Sequence, residues 1–294
     1  MSTSIVLKDV NKFYGKKQAL KDINLTIEKG MFGLLGRNGA GKTTLMKVIT
    51  TLLKVDSGSI TVSGADINEC RKVRDMVGYL PQEFSMYGNM SSYEAMDYLG
   101  VLSGLSKKER KDKIPYLLSK VNLQNNMKTK VKAMSGGMKR RLGIAQALLN
   151  NPKVLIVDEP TAGLDPEERI RFRNLLSEIA EDRIVILSTH IVGDIEASCE
   201  KIAVMDKGNI IFKGLVTELL DKADGKIYSA KVSRVEVEEI KKKYVVTRVL
   251  MMAQEAEVRF VVDDDTDVFK GAEPALPNVE DAYMYLMHKN GGEK

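Results

Sequence analysis

Met31-Phe32-Gly33-Leu34-Leu35-Gly36-Arg37-Asn38-Gly39-Ala40-Gly41-Lys42-Thr43-Thr44 decides how this chain is read. A compact apolar run, Met31 to Leu35, enters a glycine-rich turn. Leu45, Met46, Val48, Ile49 and Leu52 then recur at helical spacing. Strand, glycine loop and helix form the context that a phosphate-binding loop requires, and Gly36-x-x-x-x-Gly41-Lys42-Thr43 fits its pattern outright. The glycines let successive backbone N–H groups turn onto phosphate oxygens, and a helix starting near Lys42 adds the positive end of its dipole. Lys42 would reach the β- and γ-phosphates, and the Thr43 hydroxyl would join a Mg²⁺ shell. By itself the loop says nucleoside triphosphate and no more.

Outward from the loop, Val154-Leu155-Ile156-Val157-Asp158-Glu159 supplies a second half. Asp158, at the end of a strand that reads as buried, is placed to hold Mg²⁺. Glu159 can polarise an attacking water as general base. Ile184-Val185-Ile186-Leu187 is another fully apolar, β-rich run, the pattern of a parallel-sheet strand. A helix opening at Pro166 separates the two runs. Ile5 to Val10 and Ile23 to Ile27 read as strands. Residues 92 to 150 read as mostly helical, with Leu99, Leu102, Leu117, Leu118 and Val121 as core positions. Asp206-Lys207-Gly208-Asn209 reads as a hairpin turn. The pattern to about residue 224 is α/β with an inserted helical segment. Beyond Asp224-Gly225 come a strand from Ile227 to Val232, a charged helix from Val235 to Lys243, and strands around Val245 to Leu250 and Glu257 to Val262. An acidic stretch, Asp263 to Asp265, and a last helix capped by Asn278 complete a small α+β module.

The chain has 294 residues, 44% hydrophobic and 29% charged, with 23 Gly and 7 Pro. That is the profile of a globular protein and argues against collagen-like or disordered chains. No apolar run approaches the roughly 18 residues of a membrane span, and no signal peptide is apparent at the start. Cys70 and Cys199 are too few for a disulfide framework and match no metal-ligand spacing. The net charge of +5 is uneven. Residues 225 to 294 hold 11 Lys+Arg against 13 Asp+Glu, whereas residues 107 to 141 carry 12 basic side chains against Glu109 and Asp112 alone. Such a run suits either an anionic surface or plain solvated helix faces.

Ala133-Met134-Ser135-Gly136-Gly137-Met138-Lys139-Arg140-Arg141-Leu142 resembles the signature motif of ATP-binding cassette (ABC) ATPases. Gln82 after Val77-Gly78-Tyr79-Leu80-Pro81, then Ala162-Gly163-Leu164-Asp165, then Ser188-Thr189-His190 are similar to the family's Q-loop, D-loop and switch histidine, in the family's order. The resemblance covers residues 5 to about 224. Met134 stands where leucine is usual, a conservative apolar change. The resemblance implies a P-loop NTPase cassette at residues 1–224: an α/β fold with a mixed sheet core and a helical subdomain at about 85–150; the accessory α+β module at 225–294 is read from its own strand and helix pattern alone. The resemblance also implies ATP and Mg²⁺ as ligands. Gly36, Asn38, Gly39, Ala40, Gly41, Lys42, Thr43 and Thr44 would cradle the nucleotide, and Tyr14 would stack on adenine with Phe13 as fallback. Thr43, Gln82 and Asp158 would hold the metal. Glu159, His190, Gln82 and Lys42 would serve hydrolysis. Ser135, Gly136, Gly137 and Asp165 would act across a head-to-tail dimer that sandwiches two ATP molecules.

Several classes of cassette share this engine. Chromosome-maintenance ATPases insert a long coiled coil before the signature, but Lys42 and Ser135 are only 93 residues apart. Translation-associated members generally carry two cassettes, and one motif set is present here; no nucleic-acid partner is expected. The segment Phe84 to Tyr98, the run Gly137 to Leu142, and Pro277-Asn278-Val279-Glu280-Asp281-Ala282-Tyr283 are similar to cassettes that export drugs, antimicrobial peptides or polysaccharides. The resemblance therefore implies the ATPase subunit of an exporter, paired with a transmembrane permease and a second identical or different cassette. It would sit in the cytoplasm, peripheral to the membrane's cytoplasmic face. The alternative is a soluble cassette acting with cytosolic partners.

Overall fold

In the computed structural model, residues 3–263 and 267–291 are described; of the expected acidic stretch, Asp264 and Asp265 lie outside them. The elements in chain order are β1 (Ser4–Tyr14), β2 (Lys17–Glu28), β3 (Gly30–Gly36), α1 (Lys42–Ile49), β4 (Ser57–Val62), β5 (Ala65–Asp66), α2 (Cys70–Met76), β6 (Val77–Leu80), α3 (Ser92–Leu102), α4 (Lys107–Lys120), α5 (Gly136–Ala147), β7 (Val154–Asp158), α6 (Pro166–Ala180), β8 (Ile184–Thr189), α7 (Val192–Glu196), β9 (Lys201–Asp206), β10 (Asn209–Leu215), α8 (Val216–Lys222), β11 (Ile227–Ser233), α9 (Arg234–Lys243), β12 (Val245–Met251), β13 (Glu255–Val261), β14 (Glu273–Pro274) and α10 (Val279–Lys289).

The chain divides into two compact units, residues 1–210 and 211–294. The first holds two sheets. An antiparallel sheet runs β2-β1-β4-β5, and a second sheet runs β9-β3-β8-β7-β6 with every one of these pairs parallel. Central strands buried on both faces need apolar residues at every position rather than every second one. Val154 to Val157 and Ile184 to Leu187 meet that demand and are fully buried. The core of this unit joins both sheets through Ile5, Leu7, Ile60, Leu45, Met46 and Ile186.

The helical segment comprises α3, α4 and α5. Ser91 and Ser106 each open a helix with a reciprocal capping box, to Glu94 and Glu109. Leu117, Leu118 and Val121 are buried as expected. Leu102 is not: it is 66% exposed. The buried stripe of α3 is Ser92, Ala95, Met96 and Gly100, a spacing that Leu102 falls off. Leu52 also departs from expectation and is exposed, because α1 ends at Ile49 and Thr51, at φ 60°, carries the chain out of the helix. The turn after β9 forms as read, with Lys207 and Gly208 at φ 45° and 86°.

The second unit contains an antiparallel sheet, β12-β13-β11-β14. Val237 and Ile240 of α9 pack with Ala256, Val258 and Phe260 of β13. Asn278 caps α10 in a capping box with Asp281. The unit begins at Ile211, before the boundary expected at Asp224-Gly225, because α8 packs against α10 rather than ending the first unit. No helix among the described residues is long and apolar enough to cross a membrane.

Candidate functional site

The glycine loop sits where β3 ends beneath α1. Gly36 is fixed by crowding, since a Cβ there would stand 2.5 Å from the Met205 carbonyl oxygen of β9. Gly41 is fixed twice, by φ 109° and by the Ala19 carbonyl 2.7 Å from where its Cβ would be. It is also the N-cap of α1 and offers no side chain to the first-turn N–H groups, which are left to bind an anion. Lys42 folds back over the loop. Its Nζ donates to the carbonyls of Gly36 (2.6 Å) and Arg37 (3.3 Å) and lies 3.5 Å from Glu159 Oε1.

The parallel register brings the ends of β3, β7 and β8 together at this loop. Asp158 is completely buried. Its carboxylate accepts from Thr43 Oγ1 (2.9 Å) and from Ser188 Oγ (3.1 Å). Burial pushes the Asp158 carboxyl above its ordinary range. The two hydroxyls and Lys42 pull against that, and the charge of Glu159 adds to it. Glu159 adopts φ 48°, a left-handed conformation that a non-glycine residue holds at about 1–3 kcal/mol. In that geometry its N–H donates to the Ser188 carbonyl (2.9 Å). Its Oε2 meets His190 Nδ1 at 2.8 Å. Beneath them the Tyr79 phenol is pushed up to about 12, by burial first and by Asp158 second.

Lys42, Thr43 and Glu159 open onto a cleft of about 910 Å³ that Tyr14, Asn38, Gly39, Gly41, Thr44 and Gln82 also line; Gly36, Ala40, Asp158 and His190 lie behind its walls and do not line it. Tyr14 is half exposed at the end of β1, opposite Lys17. Phe13, the fallback, does not line the cleft; its N–H is tied to Asp56. Ala40 is buried, and its carbonyl accepts from the Gly208 N–H (3.0 Å). Ser135, Gly136, Gly137 and Asp165 do not line the cleft. Ser135 and Asp165 instead cap α5 and α6, accepting from the N–H groups of Met138 and Glu168. Ser135, Gly136 and Asp165 are solvent-exposed.

Sequence reasoning missed three lysines. Lys17, Lys21 and Lys207 line the cleft, and Lys207 arrives only because β9 lies beside β3, with Gly36 opposite Met205. No local signal marks it. Ser188 had a signal: a hydroxyl at the end of a buried strand needs a partner, and the neighbouring strand ends in Asp158.

A family model described as ABC transporter matches residues 20–162. The linearmycin resistance ATP-binding protein LnrL of Bacillus subtilis is 38% identical over 221 residues, 74% of this chain and 71% of that protein. Nod factor export ATP-binding protein I of Cupriavidus pinatubonensis is 36% identical over 228 residues, 76% of this chain and 70% of that protein. A solved dimer of an ATP-binding cassette, in a post-hydrolysis state with ADP and Pi, superposes with a TM-score of 0.65 at 26% identity, covering 72% of this chain and 98% of its own. With a phosphate loop and Glu159 lining one cleft, and Asp158 and His190 bonded to Thr43 and Glu159 of its wall, this chain belongs to the ABC transporter family, as one of its ATP-binding subunits.

Proposed function

We propose that the chain is the ATP-hydrolysing motor of a membrane exporter, working with Mg²⁺, a transmembrane permease and a second cassette. One observation carries the reading: Thr43 meets Asp158 at 2.9 Å and His190 meets Glu159 at 2.8 Å, beside the glycine loop and around one cleft. A hydroxyl and a carboxylate side by side are hard oxygen donors, the set Mg²⁺ takes when phosphates complete its shell. Thr43 and Asp158 would hold the ion, with Gln82 facing it from the cleft wall. When bound, Mg²⁺ neutralises charge on the β- and γ-phosphates.

Lys42 spends two of its three N–H donors on the loop carbonyls and keeps one for a phosphate oxygen. The loop residues Gly36 to Thr44 hold the phosphates, and Tyr14 stacks on the adenine. Glu159 accepts a proton from water while the water oxygen attacks the γ-phosphorus in line. The bond to the bridging oxygen breaks, and ADP and inorganic phosphate leave. His190 orients the Glu159 carboxylate and reaches toward the γ-phosphate. Ser135, Gly136, Gly137 and Asp165, absent from their own chain's cleft, serve the nucleotide of a second copy. The solved ADP- and Pi-bound dimer of a similar cassette supports that arrangement. The export direction rests on relatives named for linearmycin resistance and for Nod factor export. The permease would hold the chain at the cytoplasmic face of the membrane, and the unit from Ile211 onward would be an accessory module.

The test is recovery of the Glu159→Gln variant from gently solubilised membranes in MgATP. A polytopic membrane protein that copurifies supports the exporter reading. Recovery only as a soluble dimer, or with cytosolic partners, overturns transport and leaves the ATPase chemistry standing.

A further inference from the structure

The loops that carry Ser135 and Asp165 are joined by one side chain. Glu168 belongs to the first turn of α6, where its N–H donates to Asp165 Oδ1 (2.9 Å). Its carboxylate leaves α6 and lies against α5. Oε2 sits 3.4 Å from Arg141 Nε, and Oε1 accepts from Arg171 Nη1 at 3.0 Å. The Glu168 and Arg141 side chains are only 18% and 14% exposed. The same carboxylate fills the space beside Gly137, where an added Cβ would stand 2.7 Å from Oε2. Arg141 also donates to the carbonyls of Val121 (3.4 Å) and Asn122 (3.3 Å), so the contact is anchored in the helical segment.

We infer that Glu168 is a positioning residue for dimer assembly: it fixes the spacing of the Ser135 and Asp165 loops so that both meet a second copy as one preformed surface. The inference rests on the ATP-sandwich reading above. Order already present in the monomer does not have to be acquired on association, so losing it weakens binding without removing any contact to the partner. A two-fold dimer contains the Glu168 contact twice, which doubles the effect. A purely electrostatic role predicts the opposite sign. A carboxylate beside Gly137 opposes an incoming γ-phosphate, and its removal would tighten the dimer.

Glu168→Gln separates the two, because it keeps the shape and the backbone cap while deleting the charge. In the Glu159→Gln background with MgATP, sedimentation against protein concentration is expected to show a dimer about tenfold weaker. Binding of a fluorescent ATP analogue to the monomer should be unchanged. With native Glu159, the protein concentration for half-maximal ATPase should rise by the same factor at an unchanged plateau, which a merely less stable protein would not show. Glu168→Lys, which sets like charge against Arg141, should weaken the dimer further. Equal or tighter dimerisation in Glu168→Gln overturns the positioning role. If Glu159→Gln itself stays monomeric in MgATP, the sandwich reading and this inference fall together.

Discussion

Replacing Asp158 by Asn should make the nucleotide-free protein more stable while abolishing MgATP hydrolysis. Asp158 has no exposed surface, and burial dominates its electrostatics, raising its carboxyl above the ordinary range despite the hydroxyls of Thr43 and Ser188 and the charge of Lys42. A carboxyl whose folded pKa lies above its unfolded value binds protons more readily in the folded state. Its ionised form therefore weakens the fold, fully so above the folded pKa, and the penalty vanishes as pH falls below the unfolded value. Asparagine has the same shape, keeps an oxygen for one hydroxyl and offers N–H to the other. Replacing a buried charge by a neutral group of the same shape is expected to add on the order of 1 kcal/mol at neutral pH, the low end of what such replacements gain. In a unit of this size that raises Tm by about 2–4 °C. Thermal unfolding in EDTA, followed from about pH 7 down to about pH 3.5, so that the scan passes the unfolded Asp value of about 3.9, reads both the gain and its pH dependence. The gap between Asp158→Asn and the native chain should be widest at the alkaline end and close toward acid. A lower Tm for the variant, or a gap that ignores pH, would refute the reasoning.

Glu159→Gln should retain ATP-dependent dimerisation and lose turnover by about 10²–10⁴-fold, the contribution of a general base; unchanged turnover in a phosphate-release assay removes Glu159 from that role. Tyr14→Ala should weaken nucleotide binding by about 1–3 kcal/mol, the worth of one base–aromatic stack, with kcat nearly retained, as titration with a fluorescent analogue and steady-state kinetics would show. Phe260→Ala empties the core of the second unit, where the ring is fully buried 4.7 Å from that of Tyr244. It should destabilise that unit by about 3–5 kcal/mol. Calorimetry would then show an early transition while nucleotide affinity stays unchanged; a parallel loss of nucleotide binding would contradict separate units.

The residues whose placement is legible in the sequence are those whose neighbours along the chain already state their environment. Lys42 and Thr43 follow a strand and precede a helix, and Asp158 ends four apolar β-formers, so local pattern fixes both ends of the Thr43–Asp158 contact. The failures share a cause. Leu52 and Leu102 are apolar and sit near helical spacing, but one lies past a helix end set by Thr51 and the other faces away from the stripe that α3 buries. Hydrophobicity says that a residue can be buried. Which residues are buried depends on partners distant in sequence. Lys207 and the boundary at Ile211 are harder again, because each depends on a tertiary neighbour, β9 beside β3 for one and α8 against α10 for the other.

Glu168 marks where such reading stops. Nothing in Leu164-Asp165-Pro166-Glu167-Glu168 distinguishes the second glutamate from the first, and both suit the opening turn of a helix through its dipole. Packing separates them. The Glu167 side chain is 81% exposed and Glu168 only 18%, because one points to solvent and the other lies against Arg141 and Gly137. The same contact gives Gly137 a second reason to be glycine. Its backbone would face a phosphate in the proposed sandwich, and its missing side chain makes room for a carboxylate of its own chain. The two demands can be told apart. A Glu168→Ala change vacates the space beside Gly137, so Gly137→Ala should do less harm to folding in that background than alone. Its harm to ATP-driven dimerisation should remain, since that comes from the partner's phosphate. If both defects are relieved together, the glycine serves packing only and the backbone contact to a second nucleotide is not made.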